Sequence, residues 1–320
     1  MVATDGVADE TDGVGFELGF VAHQKIAGVE KVIFDDVGID PILLCHESII
    51  TFLCYNGGMK IAILGAGAFG TALGGILADK GYDIDYYDSR VEKERLSDVV
   101  GDAKYVVLAV PSKAAPYVLP YLPKDKPLIV ATKGFLDMHN LEEFNDVMAL
   151  SGPGFADDIK AGKETHLTAT DELVVELFET EYLDFDRTDD VRGVLMCGAL
   201  KNVYAIYAGL LGLKAGTESH ERYLAEAAEE MRMILGANGA KARTVDLECG
   251  VGDLRLTCNL PSRNYEFGML KRKDAGYQPE KTVEGLTALG KIRRGEIEVP
   301  EKAVKLRELM KISKDWIKQG

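Results

Sequence analysis

The chain has 320 residues, 47% of them apolar and 28% charged, with a net charge of −15. That length accommodates two domains with cores of their own. The negative balance argues against nucleic acid and anionic membranes as partners, whereas a small phosphorylated ligand needs only a local cluster of cations and helix N-termini.

Residues 1–58 carry ten carboxylates and two lysines. Their first stretch, ATDGVADETDG, reads as disordered, and the acidic N-terminus is unlike the basic start of a secretory signal. KVIFDDVGIDPILL is strand-like, and SIITFLCY is too short an apolar run to span a bilayer. The five cysteines (Cys45, Cys54, Cys197, Cys249 and Cys258) are odd in number and lack C-x-x-C spacing. Reduced thiols in a cytoplasmic protein are expected, with no zinc site or other metal centre.

From Met59 the pattern sharpens. KIAIL suits a strand buried on both faces. GAGAFG follows at once, with Gly65, Gly67 and Gly70 in G-x-G-x-x-G positions. Leu73, Ile76, Leu77 and Lys80 recur at helical spacing, and Gly81 is a natural stop. A second strand, YDIDYYD, ends in Asp88, eighteen residues after Gly70. Each part has a task in dinucleotide binding. Gly65 makes the tight turn, Gly67 lets the backbone approach the pyrophosphate, and Gly70 allows close helix–strand packing. The helix N-terminus offers N–H donors to the phosphates, and Asp88 accepts from ribose hydroxyls. A carboxylate there repels a 2′-phosphate and favours NAD; Arg90 is the opposing signal that keeps NADP in play.

KYVVLAVPS (104–112), KPLIVATKG (126–134) and DVMALSGPG (146–154) continue the α/β rhythm. In a doubly wound sheet, ligands gather at the carboxyl ends of strands, here Pro111–Ser112, Thr132–Lys133–Gly134 and Ser151–Gly152–Pro153. Lys133 is the one cation among them. After residue 187 the periodicity becomes helical. A long helix in TDDVRGVLMCGALKNVYAIYAGLLGLKAG has Thr188 or Asp189 as its candidate N-cap, with HERYLAEAAEEMRMILGANG, EKTVEGLTALGKIRRG and PEKAVKLRELMKISKDWI after it. The expected fold class is therefore α/β, a Rossmann-type doubly wound parallel sheet followed by an all-helical C-terminal domain. The expected domains are an extension at 1–58, a dinucleotide-binding domain at 59–187 and a helical substrate domain at 188–320.

GAGAFGTALG, VPS, ATKG, SGPGFADDI, GALKNVYAIYAGLLGL, GVGDLRLTC, SRNYEFG and VEGLTAL occur in that order. Over residues 59–300 the chain resembles the NAD(P)-dependent glycerol-3-phosphate dehydrogenases, which interconvert dihydroxyacetone phosphate and sn-glycerol 3-phosphate. The GALKN and GVGDL…TC…SRN blocks are much more specific to that family than the glycine fingerprint. The resemblance implies that Lys201 is the proton donor to the carbonyl oxygen, which requires burial and cationic neighbours to bring its pKa down. It implies that Asp253 interacts with that lysine, and that Lys133, Gly152, Asn202, Thr257, Ser262 and Asn264 lie against the substrate. Arg263 matches the arginine that binds the substrate phosphate, a task suited to bidentate guanidinium donors. Cofactor contacts are implied for Gly65, Gly67, Ala68, Phe69, Gly70, Asp88, Pro111, Lys133, Ala156, Arg263 and Glu284.

A homodimer supplying glycerol phosphate for phospholipid synthesis follows from the same resemblance. None of the five histidines falls in a motif, which weighs against a lactate- or malate-type enzyme. Gly154, Asp158 and Ala225–Glu226–Ala227 depart from the family pattern and bear on substrate affinity and subunit contacts. Met59 stands where family members begin, so residues 1–58 read either as the product of an upstream start or as a genuine appendage. Two other function classes stay open: a dehydrogenase of this layout acting on another hydroxy acid, for which Lys133 and Arg263 would not serve a phosphate, and a non-catalytic nucleotide-binding protein.

Overall fold

The computed structural model describes residues 22–26, 29–33, 58–88 and 96–316. The strands are β1 (Ala22–Ile26), β2 (Val29–Ile33), β3 (Lys60–Leu64), β4 (Asp83–Tyr87), β5 (Tyr105–Leu108), β6 (Leu128–Val130), β7 (Val147–Ser151), β8 (Thr165–Ala169) and β9 (Leu183–Arg187). The α-helices are α1 (Ala68–Asp79), α2 (Leu96–Gly101), α3 (Ala115–Val118), α4 (Met138–Glu142), α5 (Ala156–Lys160), α6 (Glu172–Phe178), α7 (Val191–Leu211), α8 (Glu218–Ala237), α9 (Asp253–Thr257), α10 (Arg263–Lys273), α11 (Glu284–Arg293) and α12 (Val304–Ile312).

The chain divides into two units, Met1–Tyr55 and Asn56–Gly320. In the first, β1 and β2 pair antiparallel, with Ala22 opposite Ile33 and Ile26 opposite Val29. The strand-like KVIFDDVGIDPILL contributes its first three residues to β2; the rest of it, SIITFLCY, Cys45 and Cys54 lie outside the described residues.

The second unit holds a seven-stranded sheet in the order β4-β3-β5-β6-β7-β8-β9. Neighbours run parallel except for β7 and β8, which pair antiparallel. Side chains of β3 alternate between faces: Ala62 and Leu64 enter one hydrophobic core, Ile61 and Ile63 the other. The Ile61 face is covered by α1, through Leu73, Ile76 and Leu77, and by α6, through Val174, Leu177 and Phe178. The opposite face is continuous with the core of the C-terminal helices through Leu195, Leu200, Tyr204 and Leu289.

Helix α7 organises that second core. Its N-cap is Asp190, not the expected Thr188 or Asp189, because this carboxylate is buried and engaged three times. It accepts from Gly193 N at 3.0 Å, Lys241 N at 2.8 Å and the Thr244 hydroxyl at 2.6 Å. The helix ends at Gly212, whose φ of 70° suits a left-handed cap. It is long and apolar enough to cross a membrane, yet 89% of its most apolar window is buried within the protein, as expected for a helix hydrophobic all round in a core. Helix α10 packs on it at backbone distance. A Cβ added at Gly209 would lie 2.0 Å from Tyr265 O, and one at Gly268 2.0 Å from Ile206 O. This approach holds Arg263 and Asn264, at the start of α10, close to the middle of α7.

Candidate active site

A cleft of about 830 Å³ opens at the carboxyl ends of the parallel strands. It lies where the strand order reverses about β3, the position at which doubly wound sheets bind ligands. Gly65 has φ +111°, and a Cβ there would approach Ala109 O to 2.7 Å. Only glycine makes this turn without strain or collision. Gly70 sits behind the loop, where a Cβ would lie 2.0 Å from Gly65 O, and a Cβ on Gly67 would meet nothing within 4 Å. The loop thus has open space at Gly67, and α1 begins there without a side-chain cap. That leaves helix N-terminal donors available to an anion. Ala68, Phe69, Asp88, Pro111 and Ala156 also line the cleft.

The facing wall comes from the helices. Lys201 and Asn202 project from α7, Thr257 from the end of α9, Ser262, Arg263 and Asn264 from the start of α10, and Glu284 from the start of α11. Lys201 is 3% exposed and forms an ion pair with Asp253, itself 1% exposed. The Thr257 hydroxyl donates to the other Asp253 oxygen at 3.3 Å. Buried charges persist only when paired in this way. Asn202 and Asn264 form a relay: Asn264 Nδ2 donates to Asn202 Oδ1 at 2.8 Å, and Gly285 N donates to Asn264 Oδ1 at 2.9 Å. Asn202 Nδ2 donates in turn to Gly198 O at 3.0 Å. The relay fixes α7, α10 and α11 to one another at the cleft wall.

Lys133 reaches the same place from the end of β6. Its ammonium donates to Gly152 O at 3.3 Å and stands 4.7 Å from the centre of the Phe69 ring. Burial is the main reason that its pKa falls to about 8; the positive charge of Lys201 adds to the fall and Asp253 opposes it. Lys201 is the lysine paired directly with the carboxylate. Across the cleft, the Ser112 hydroxyl donates to Glu284 Oε2 at 2.6 Å, and Lys113 Nζ donates to Thr282 Oγ1 at 3.3 Å. Burial raises the Glu284 pKa, against the hydrogen bond from Ser112. Among the described residues Arg263 makes one long hydrogen bond, donating to Thr282 O at 3.4 Å, and it lines the cleft.

Of the residues expected in the site, Gly70, Gly152 and Asp253 stand behind the cleft wall, and the rest line it. Gly152 acts through its carbonyl on Lys133, and Asp253 through Lys201. Arg90 lies outside the described residues. Thr282 and Asp157 also line the cleft without having been singled out, and Ser112, noted only as part of a strand end, bonds to Glu284 there. Ser112 had a signal, since it follows a parallel strand, but its partner is 172 residues away.

The chain matches the family described as NAD-dependent glycerol-3-phosphate dehydrogenase C-terminus over residues 190–311. It is 31% identical over 260 residues to the glycerol-3-phosphate dehydrogenase, NAD(P)+, of Citrifermentans bemidjiense, covering 66% of this chain and 78% of that one. It is 33% identical over 261 residues to the protein of the same name from Leptospira biflexa, with the same coverage of both chains. Among solved structures, the glycerol-3-phosphate dehydrogenase of Coxiella burnetii superposes with a TM-score of 0.65 at 24% identity, over 79% of this chain and 94% of that one. The likeness at that identity is one of fold. The sequence relatives go further, and this chain belongs to the NAD(P)-dependent glycerol-3-phosphate dehydrogenase family.

Proposed function

We propose that the chain interconverts dihydroxyacetone phosphate and sn-glycerol 3-phosphate, using NAD in preference to NADP. The observation that carries this reading is the buried Lys201–Asp253 pair beside Lys133, in the cleft that also holds the glycine loop and Arg263. When bound, the nicotinamide cofactor supplies the hydride. The glycine loop and the start of α1 suit its pyrophosphate, and Asp88, at the end of β4, suits the adenosine ribose. Lys201 holds the proton for the carbonyl oxygen, and Asp253 orients that side chain through their ion pair. Arg263, at the cleft mouth, receives the substrate phosphate through parallel N–H donors. Asn202, Asn264, Thr257 and Ser262 shape the substrate wall, and Glu284 the cofactor side.

Three cations, Lys133, Lys201 and Arg263, line the cleft, which favours a phosphorylated ketone over an unphosphorylated hydroxy acid. Residues 59–187 then serve as the dinucleotide-binding domain and 188–320 as the substrate domain, with 1–58 as an extension. The proposed setting is a cytoplasmic homodimer that supplies glycerol phosphate for phospholipid synthesis. NADH oxidation measured with dihydroxyacetone phosphate, dihydroxyacetone and unphosphorylated 2-keto acids tests the reading. Turnover should depend on the phosphate; equal or faster turnover of a keto acid would replace this substrate assignment.

A further inference from the structure

Two consecutive residues after β5 bond to the segment that opens α11. The Ser112 hydroxyl donates to Glu284 Oε2 at 2.6 Å, and Lys113 Nζ donates to Thr282 Oγ1 at 3.3 Å. The first bond is the shorter and joins two anchored residues. Ser112 is 2% exposed and is backed closely by Gly134, where an added Cβ would lie 2.4 Å from the Ser112 Cβ. Glu284 is fixed through its chain neighbour, because Gly285 N donates to Asn264 Oδ1 at 2.9 Å. Glu284 lines the cleft and Ser112 stands behind it. Among the described residues, the other carboxylate oxygen, Oε1, makes no hydrogen bond.

We propose that Ser112 is a positioning residue for the cofactor: it aims Glu284 so that Oε1 accepts from a hydroxyl of the ribose on the nicotinamide side. This deepens the cofactor part of the reading above and is independent of the substrate. The sheet order β4-β3-β5-β6 puts β5 and β6 on the side of β3 away from β4. Asp88, at the end of β4, suits the adenosine ribose. Ser112, after β5, and Gly134, after β6, therefore belong to the nicotinamide half of the crevice. A carboxylate in that half suits a hydroxyl donor and would repel the phosphates.

The bond from Ser112 serves this role in two ways. It favours the ionised carboxylate against the effect of burial, and an ionised acceptor binds a hydroxyl more strongly than a neutral one. It also holds a long, flexible side chain in one arrangement before the cofactor arrives, which removes an ordering cost from binding. The charged groups acting on Glu284 are Lys113, after β5, and Arg263, at the start of α10, and both favour the same ionised form. Asn202 of α7 and Asn264 of α10, which pack on the neighbouring Gly285, are neutral. Proton donation belongs to Lys201, so the Ser112–Glu284 bond bears on cofactor affinity.

The test is the binding of NADH without substrate, read by the fluorescence of the reduced nicotinamide, beside the binding of ADP by calorimetry. Ser112→Ala should weaken NADH binding by about three- to tenfold, the cost of ordering one long side chain. ADP lacks the nicotinamide ribose, and its affinity should be unchanged. Glu284→Ala should weaken NADH at least as much, again without effect on ADP. Ser112→Ala added to Glu284→Ala should change nothing further, because no carboxylate is left to aim. Unchanged NADH affinity in Ser112→Ala, equal weakening of NADH and ADP, or effects that simply add in the double variant would each overturn the proposal. Should Ser112→Ala not fold, Glu284→Ala decides: NADH affinity left unchanged, or ADP weakened equally, would overturn it. A wild type that binds no NADH would strike the cofactor assignment itself, before any variant is compared.

Discussion

Replacing Lys133 by methionine should stabilise the protein while removing its activity. The lysine is half-buried in the cleft wall, and burial brings its pKa down from 10.5 to about 8 on folding. At 1.36 kcal/mol for each pKa unit, holding it charged in the fold costs about 3 kcal/mol relative to the unfolded chain. Methionine removes that cost at similar length. Against the gain, the carbonyls of Gly152 and Gly154 lose a donor at 3.3 and 3.5 Å. Both bonds are long, and their loss offsets about 1–2 kcal/mol. The net gain near neutral pH is about 1–2 kcal/mol. The sign with pH follows from linkage. Below the folded value of about 8 the proton is bound in both states and the penalty is present in full. Between that value and 10.5 the unfolded chain binds more protons, so wild-type stability rises and the advantage of methionine fades. Urea unfolding of both proteins at about pH 7 and about pH 10 measures this. A variant less stable than the wild type at the lower pH, or an advantage equal at both, would refute the reasoning.

The remaining predictions test other parts of the cleft. Arg263→Ala should raise KM for dihydroxyacetone phosphate by an amount worth about 1.5–3 kcal/mol with little change in KM for NADH, and steady-state kinetics with each substrate varied would show it. Asp88→Ser should narrow the preference for NADH over NADPH by relieving repulsion of the 2′-phosphate; a wild type with higher kcat/KM for NADPH would contradict that assignment. A chain starting at Met59 should fold and turn over like the full chain, since β3 begins at Lys60 and Asn56–Gly320 forms a unit of its own. A sharply lower Tm in that chain would make residues 1–58 a structural element.

The first βαβ unit was legible because its signals are local: an apolar run, a glycine loop and a terminal acid within thirty residues. The same holds for α7, whose apolar and small residues run for 21 positions. Strands β8 and β9 escaped notice. THLTA and LDFDR are short and polar, and β9 stands at the sheet edge, where one face suffices to bury Leu183 and Phe185. The antiparallel turn from β7 to β8 was likewise invisible to a reading tuned to parallel strands. Helix α10 was masked by its charged face and by Gly268, which is selected by contact with Ile206 rather than by helix propensity. In the site, family motifs pointed to the individual residues, but not to their pairing. The meeting of Lys133 and Lys201 in one cleft, the Asn202–Asn264–Gly285 relay and the Ser112–Glu284 contact each join segments distant in sequence. Such contacts depend on how α7 and α10 pack, which no short window of sequence contains.

The most direct test of the account is the turnover of Lys201→Ala with dihydroxyacetone phosphate, measured beside its affinity for NADH. Lys201 is buried at the cleft wall against Asp253 and is contributed by α7, not by the glycine loop that would hold the cofactor. Loss of the proton donor should lower kcat by about 10²–10⁴ and leave NADH binding near the wild-type value. Retention of most of the wild-type turnover would remove Lys201 from the chemistry and contradict the mechanism at its centre.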